Sequence, residues 1–239
     1  MQVVYGCCCG IDVHKKMIVA CLNQDGKQEL RQFGTMTNDL RKLCDWLTAN
    51  KCEMIAMEST AAYWKPLYNL FEPAELNAMV VNAAHMKALP GRKTDVKDAE
   101  WISDLLRHGL LKASFIPDRE QRELREISRY RKSLVEERAR ELNRLQKMLE
   151  GANIKLDSAV KNVNGKSSRR LLDQIIAGNS LSEGEVSALL HGSMRKKLDQ
   201  IIMAIDGIVT PLQRRLLAQV IDHIDDMTRR IADLDTLIL

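Results

Sequence analysis

Hydrophobic and polar positions along the chain switch between two periods. From Val3 to about Val13 the residues are β-branched or small, the pattern of a strand buried on both faces. A second strand is predicted over Met17–Leu22, after the turn Lys15-Lys16. A third follows over roughly Glu29–Gly34, after Asp25-Gly26, a strong hairpin signal. Helical spacing then takes over. Thr37 or Asn38 opens a helix in which Leu40, Leu43, Trp46 and Leu47 share one face. A short buried strand over Glu53–Thr60, a helix from about Ala61 to Phe71 and a strand over Ala78–Val81 come next. A polar loop around Asn82 and a basic loop with Lys87, Arg92 and Lys93 lead into another helix, with Thr94 as N-cap and Asp95 as first residue.

Three hairpin-connected strands followed by helix, strand, helix, strand, helix is the ribonuclease-H-like order, an α/β layered fold with a mixed sheet. Right-handed crossovers leave few other topologies. The first strand is then central with the fourth beside it. Asp12 and Glu58 meet at neighbouring strand ends, and the helix carrying Asp95 and Asp98 packs across them.

Beyond this region the chain reads as helical. Leu110–Pro117 is an extended connector, and Asp118 to Gln121 has capping-box-like spacing. The helix from about Arg119 to Glu150 interleaves both charges, with Leu124, Ile127, Leu134, Leu145 and Met148 at seam positions and Arg131, Arg138 and Glu141 interrupting them. Lys161–Arg170 is expected to be a basic loop, either a nucleic-acid contact or a mobile linker. Shorter helices are predicted near Arg169–Ala177, Ser182–Leu190 and Arg195–Ile205. Thr210-Pro211 starts the last helix. Its residues Leu217, Val220, Ile224, Met227, Ile231, Leu234 and Ile238 form a heptad seam. That seam needs a partner: the Arg119–Glu150 helix folded back antiparallel, or the same helix of another chain.

With 239 residues, 45% of them hydrophobic and a formal net charge of +4, the chain has room for one medium domain with an appendage or for two small domains, and permits a nucleic-acid partner without demanding one. Aromatics at 4% argue against a single-strand stacking platform. Cys7, Cys8, Cys9, Cys21, Cys44 and Cys52 contain no Cys-x-x-Cys pair, so they read as small buried residues of a reducing cytoplasm rather than zinc ligands. The opening apolar run is too short to span a bilayer and has no preceding basic region, so no membrane association is expected.

Four acids carry the candidate chemistry. Asp12 lies inside an apolar strand, where a carboxylate needs a cation or donors, although aspartate also caps turns at strand ends. Glu58 repeats the pattern at the end of a second strand. Asp95 and Asp98, three residues apart, fall on one helical face, though acids at a helix start are also ordinary. Together the four make an all-oxygen set suited to hard cations, Mg²⁺ or Mn²⁺. Two such ions would clamp the attacking and leaving oxygens of a phosphodiester.

Gly10-Ile11-Asp12-Val13-His14-Lys15-Lys16, Met57-Glu58-Ser59-Thr60 and Lys93-Thr94-Asp95-Val96-Lys97-Asp98-Ala99 together resemble the Asp-Glu-Asp-Asp signature of transposases of the insertion sequence 110 family. These are bacterial enzymes whose N-terminal domain is similar to the RuvC Holliday-junction resolvases. The resemblance implies a RuvC-like domain over 1–117 and a helical coiled-coil, dimerisation region over 118–239. It implies Mg²⁺-dependent DNA cleavage and exchange guided by a structured bridge RNA, with Asp12, Glu58, Asp95 and Asp98 as catalytic metal ligands. It further implies a homodimer or higher oligomer in the bacterial cytoplasm. Family members continue into a second domain with a nucleophilic serine, for which Ser167 and Ser168 are no candidates. The chain is therefore expected to be a fragment or truncated copy, inactive alone.

His14, Lys15, Lys16, Arg92, Lys93 and Lys97 flank the acids, and Lys166, Arg169 and Arg170 stand in the second half; all are candidate phosphate contacts. Singly, each also fits solvated surface charge, and His14 could instead orient Asp12. Two other functions stay open: a binding and dimerisation module without catalysis, and a free-standing junction resolvase.

Overall fold

The computed structural model describes residues 2–59, 61–82 and 98–238. Contacts divide the chain into two compact units, Met1–Pro117 and Asp118–Leu239.

In the first unit, β1 (Cys7–Val13), β2 (Met17–Gln24) and β3 (Lys27–Gly34) form an antiparallel meander. Its second turn is the expected hairpin: Asp25 and Gly26 both have positive φ, 50° and 89°, as a primed two-residue turn requires. Then come α1 (Thr37–Ala49), β4 (Met54–Glu58), α2 (Trp64–Phe71), β5 (Ala78–Val81) and α3 (Asp98–Arg107). The five strands lie in the order β3-β2-β1-β4-β5, with β4 parallel to both β1 and β5. That order is the ribonuclease-H-like, RuvC-like arrangement.

Alternation along β1 sorts its side chains between two layers. Cys7, Cys9, Ile11 and Val13 belong to a core with Leu43 and Leu47 of α1, Ile55 and Met57 of β4, and Leu67 and Phe71 of α2. Cys8 faces the other way, into a smaller core with Ala56, Val81 and the α3 residues Ile102 and Leu106.

The first strand is shorter than its apolar run, which begins at Val3. Val3 and Val4 are exposed, and the Val4 N–H donates to the Arg107 carbonyl at 2.9 Å rather than to β2. The regular part of α2 also starts later than expected. Ala61 takes a left-handed φ of 47°, so the helix forms only after the turn at Ala61–Tyr63.

The second unit opens with α4 (Arg119–Gly151), whose N-cap Asp118 accepts from the Gln121 N–H at 2.8 Å. A short helix, α5 (Leu156–Ala159), has no counterpart in the sequence expectation. It is followed by α6 (Lys166–Ala177), α7 (Glu183–Leu189), a 3₁₀ turn (Gly192–Lys197), α8 (Leu198–Ile205) and α9 (Pro211–Ile238). The capping box at Ser182/Glu185 is present, and Thr210 and Gln213 exchange backbone-to-side-chain bonds at the start of α9. The Arg195 helix is split, its first part being the 3₁₀ turn.

The α9 seam is satisfied within the chain. Arg131 pairs with Asp235, Arg138 reaches Thr228, and Glu141 faces His223, so α4 and α9 run antiparallel. Leu217, Ile224, Met227 and Ile231 are buried as the heptad requires, while Ile221 is buried and Val220 only half-buried. On α4, Leu134, Leu145 and Leu149 are buried and Leu124 is exposed, because Asp235 near the end of α9 already lies beside Arg131. Among the described residues no helix is long and apolar enough to cross a membrane.

Candidate functional site

The site is built outward from a glycine. A Cβ on Gly10 would lie 2.3 Å from the Ser103 nitrogen and 2.4 Å from the Ala99 carbonyl oxygen, so the backbone of α3 rests directly on β1. Only glycine allows that approach within a strand. The Cys8 thiol donates to the Ser103 carbonyl oxygen at 3.7 Å, one α3 turn further along. Helix and strand therefore run in opposite senses, and the start of α3 lies toward the strand end that carries Asp12.

Register places the first two acids. Ile11 pairs with Met57 in the parallel β1–β4 ladder, so Asp12 and Glu58 hold the next adjacent positions on neighbouring strands. In-register residues of parallel strands share a face, and theirs is the face covered by α3. The Asp12 carboxylate is largely enclosed, with 14% of its side chain exposed, and His14 Nε2 lies 2.8 Å from its Oδ2. Glu58 is half-buried. Asp98 is the first described residue of α3 and is exposed.

Asp12 and Glu58 thus hold adjacent positions, and Asp98 stands at the end of α3 that lies toward the Asp12 end of β1. Asp95 lies outside the described residues, as do Thr94, Lys87, Arg92, Lys93 and Lys97. Among the described residues no group of three or more His, Cys, Asp or Glu is arranged to hold a metal ion. Asp12 and Glu58 supply hard oxygen donors of the kind Mg²⁺ or Mn²⁺ takes, but by themselves they amount to part of a coordination set.

The basic residues divide. His14, Lys15 and Lys16 are exposed just past β1, with His14 held against Asp12. The predicted loop over Lys161–Arg170 requires correction: α6 begins at Lys166, so Lys166, Arg169 and Arg170 stand on a helix. Asn162 nucleates this start. Its Oδ1 accepts from the Asn164 N–H at 2.9 Å and its carbonyl accepts from Ser168 Oγ at 2.9 Å. Ser167 and Ser168 are buried. Arg169 is paired with Asp225, while Arg170 Nη1 lies 2.8 Å from His191 Nε2. Lys166 and Arg170 are exposed.

All six cysteines are buried free thiols. Burial pushes Cys8 and Cys52 up to about 12 and Cys21 up to about 11, the state of inert core residues rather than nucleophiles. Trp64 and Trp101 pack against the two cores of the first unit. The only mark that Gly10 leaves in the sequence is a glycine interrupting an apolar strand.

Among curated proteins none is similar enough to match the chain. Thermus thermophilus RuvC in complex with Holliday junction substrate aligns with a TM-score of 0.33 at 11% identity, covering 45% of this chain and 99% of that one. A second Thermus thermophilus RuvC structure gives 0.32 and 12% over the same shares. The family model of the DEDD transposases of insertion sequence 110, described as a transposase, matches residues 9–154. That match spans more than half the chain and includes Asp12, Glu58 and Asp98, and on it the chain belongs to the insertion sequence 110 family of DEDD transposases.

Proposed function

We propose that the first unit is the metal-dependent DNA-cleaving domain of this transposase, with Asp12, Glu58, Asp95 and Asp98 as its carboxylate set. The observation that carries the reading is the Ile11–Met57 register, which sets Asp12 beside Glu58 under the α3 start. Carboxylates on adjacent strand ends supply the hard oxygen donors that such a cation takes. Mg²⁺ or Mn²⁺ held there would stabilise the charge that develops on a phosphodiester undergoing in-line displacement.

The chain's own residues supply the rest. His14 donates to one oxygen of Asp12, fixing the carboxylate's orientation and leaving its second oxygen for the cation. Lys15 and Lys16, exposed beside it, hold the DNA backbone, and Arg92, Lys93 and Lys97 are further phosphate contacts in this reading. Lys166 and Arg170 offer cations on α6 for a structured guide RNA, a role in which Arg169 contributes less because Asp225 neutralises it. Pairing of copies through the exposed start of α4, around Leu124, is part of the same proposal.

Incubation of the chain with branched and linear duplex DNA in Mg²⁺ or Mn²⁺ tests it. The reading requires metal-dependent nicking, or metal-dependent DNA binding if strand transfer needs further domains, and loss of either in Asp12→Asn. Metal-independent behaviour, unchanged in Asp12→Asn, would refute it.

A further inference from the structure

A cavity of about 260 Å³ opens beside the Asp12 end of β1, on the sheet face opposite α3. Its lining includes the core residues Val13, Ile18 and Leu67, which are 2%, 1% and 1% exposed. Tyr63, 40% exposed, forms one wall, and His14 and Lys15 form a polar edge. The volume falls below the roughly 300–1,000 Å³ of drug-sized ligand sites, which suits one flat ring system rather than a whole nucleotide.

We propose that this cavity receives an unpaired nucleobase of the DNA strand positioned for cleavage. The inference rests on the reading of Asp12 as a catalytic carboxylate and adds a base site to it. Three features select a base. The lining joins an apolar floor to an aromatic wall, the combination on which bases stack irrespective of sequence. Lys15, exposed at the edge, supplies a cation that can pair with the phosphate attached to that base. His14 belongs to both places, lining the cavity while its Nε2 contacts Asp12 on the other face of the sheet, so one side chain links the base site to the carboxylate. An unstacked base held here would fix the register of its strand relative to Asp12 without reading its identity.

Binding of the full chain to a short thymidine oligomer, to an abasic oligomer of equal length and to a uridine oligomer tests the proposal. The wild type should prefer thymidine over abasic DNA by at least about fivefold, the low end of one base–aromatic stack. Tyr63→Phe should keep that preference, and Tyr63→Ala should abolish it while leaving the abasic affinity unchanged. Lys15→Ala should weaken both DNA oligomers alike. Equal binding of thymidine and abasic DNA by the wild type, or a preference that survives Tyr63→Ala, overturns the base site while leaving DNA binding in place. An equal or stronger preference for uridine overturns the assignment to DNA. If neither DNA oligomer binds, the base site falls, and the DNA-cleaving reading stands or falls on the duplex experiment alone.

Discussion

At the scale of single residues, Gly10 sets how close α3 comes to the sheet. Gly10→Ala drives a methyl into the backbone at Ala99 and Ser103, which cannot swing aside as a side chain would. Overpacking of this kind costs about 1–3 kcal/mol. A denaturant titration should show that loss, whereas a variant as stable as wild type would mean α3 does not rest on β1. The cysteines give a second expectation. Their ordinary value is 9.0, and burial raises Cys21 to about 11 and Cys8 and Cys52 to about 12. The folded chain keeps protons that the unfolded chain releases above about pH 9, so this contribution to stability is complete below that pH and is lost as pH rises toward 11–12. A thiol reagent at neutral pH should label none of the six cysteines in the native chain and all six in denaturant. Rapid native labelling of Cys8 or Cys9 would contradict the packing of β1.

Elements were legible where a local rule and the packing agreed. The Asp25-Gly26 hairpin and the Asp118, Ser182 and Thr210 caps follow from short-range chemistry, and the structure contains each one. The misreadings arose where a distant partner decided. Val3 and Val4 have strand-forming side chains, yet Arg107 takes the Val4 N–H and the strand begins only at Cys7. Lys161–Arg170 has loop composition, but the buried Ser167 and Ser168 extend α6 back to Lys166. The candidate site was legible as far as two apolar strands, each ending in an acid. The strand order expected from the sequence already put them at neighbouring strand ends; the structure adds the Ile11–Met57 register and the closeness of α3 at Gly10, which a single strand does not reveal. In the second unit Leu145 is fully buried in a core that α6, α8 and α9 share. Leu145→Ala should cost about 2–5 kcal/mol in helical unfolding followed by circular dichroism. A loss under about 1 kcal/mol would mean that this core is not formed as described.

For the molecule as a whole, the sheet does more than carry acids. Its two faces differ: one packs α3 on the side of Asp12 and Glu58, and the other borders the cavity beside Tyr63. The C-terminal ends of β1 and β4 are where parallel strands of an α/β sheet present their loops, and there the fold gathers cations and carboxylates together. The second unit, with its α4–α9 hairpin and its own core, supplies a charged helical surface rather than an acidic site. The transposase reading therefore rests on whether the acids of the first unit act as one ligand set. Calorimetric titration of Mn²⁺ into the chain measures this most directly. The account predicts saturable binding that weakens at least about tenfold in each of Asp12→Asn, Glu58→Gln, Asp95→Asn and Asp98→Asn, in line with the loss of a hard-cation ligand. Binding equally tight in Asp12→Asn and wild type, or no binding by the wild type, would contradict it.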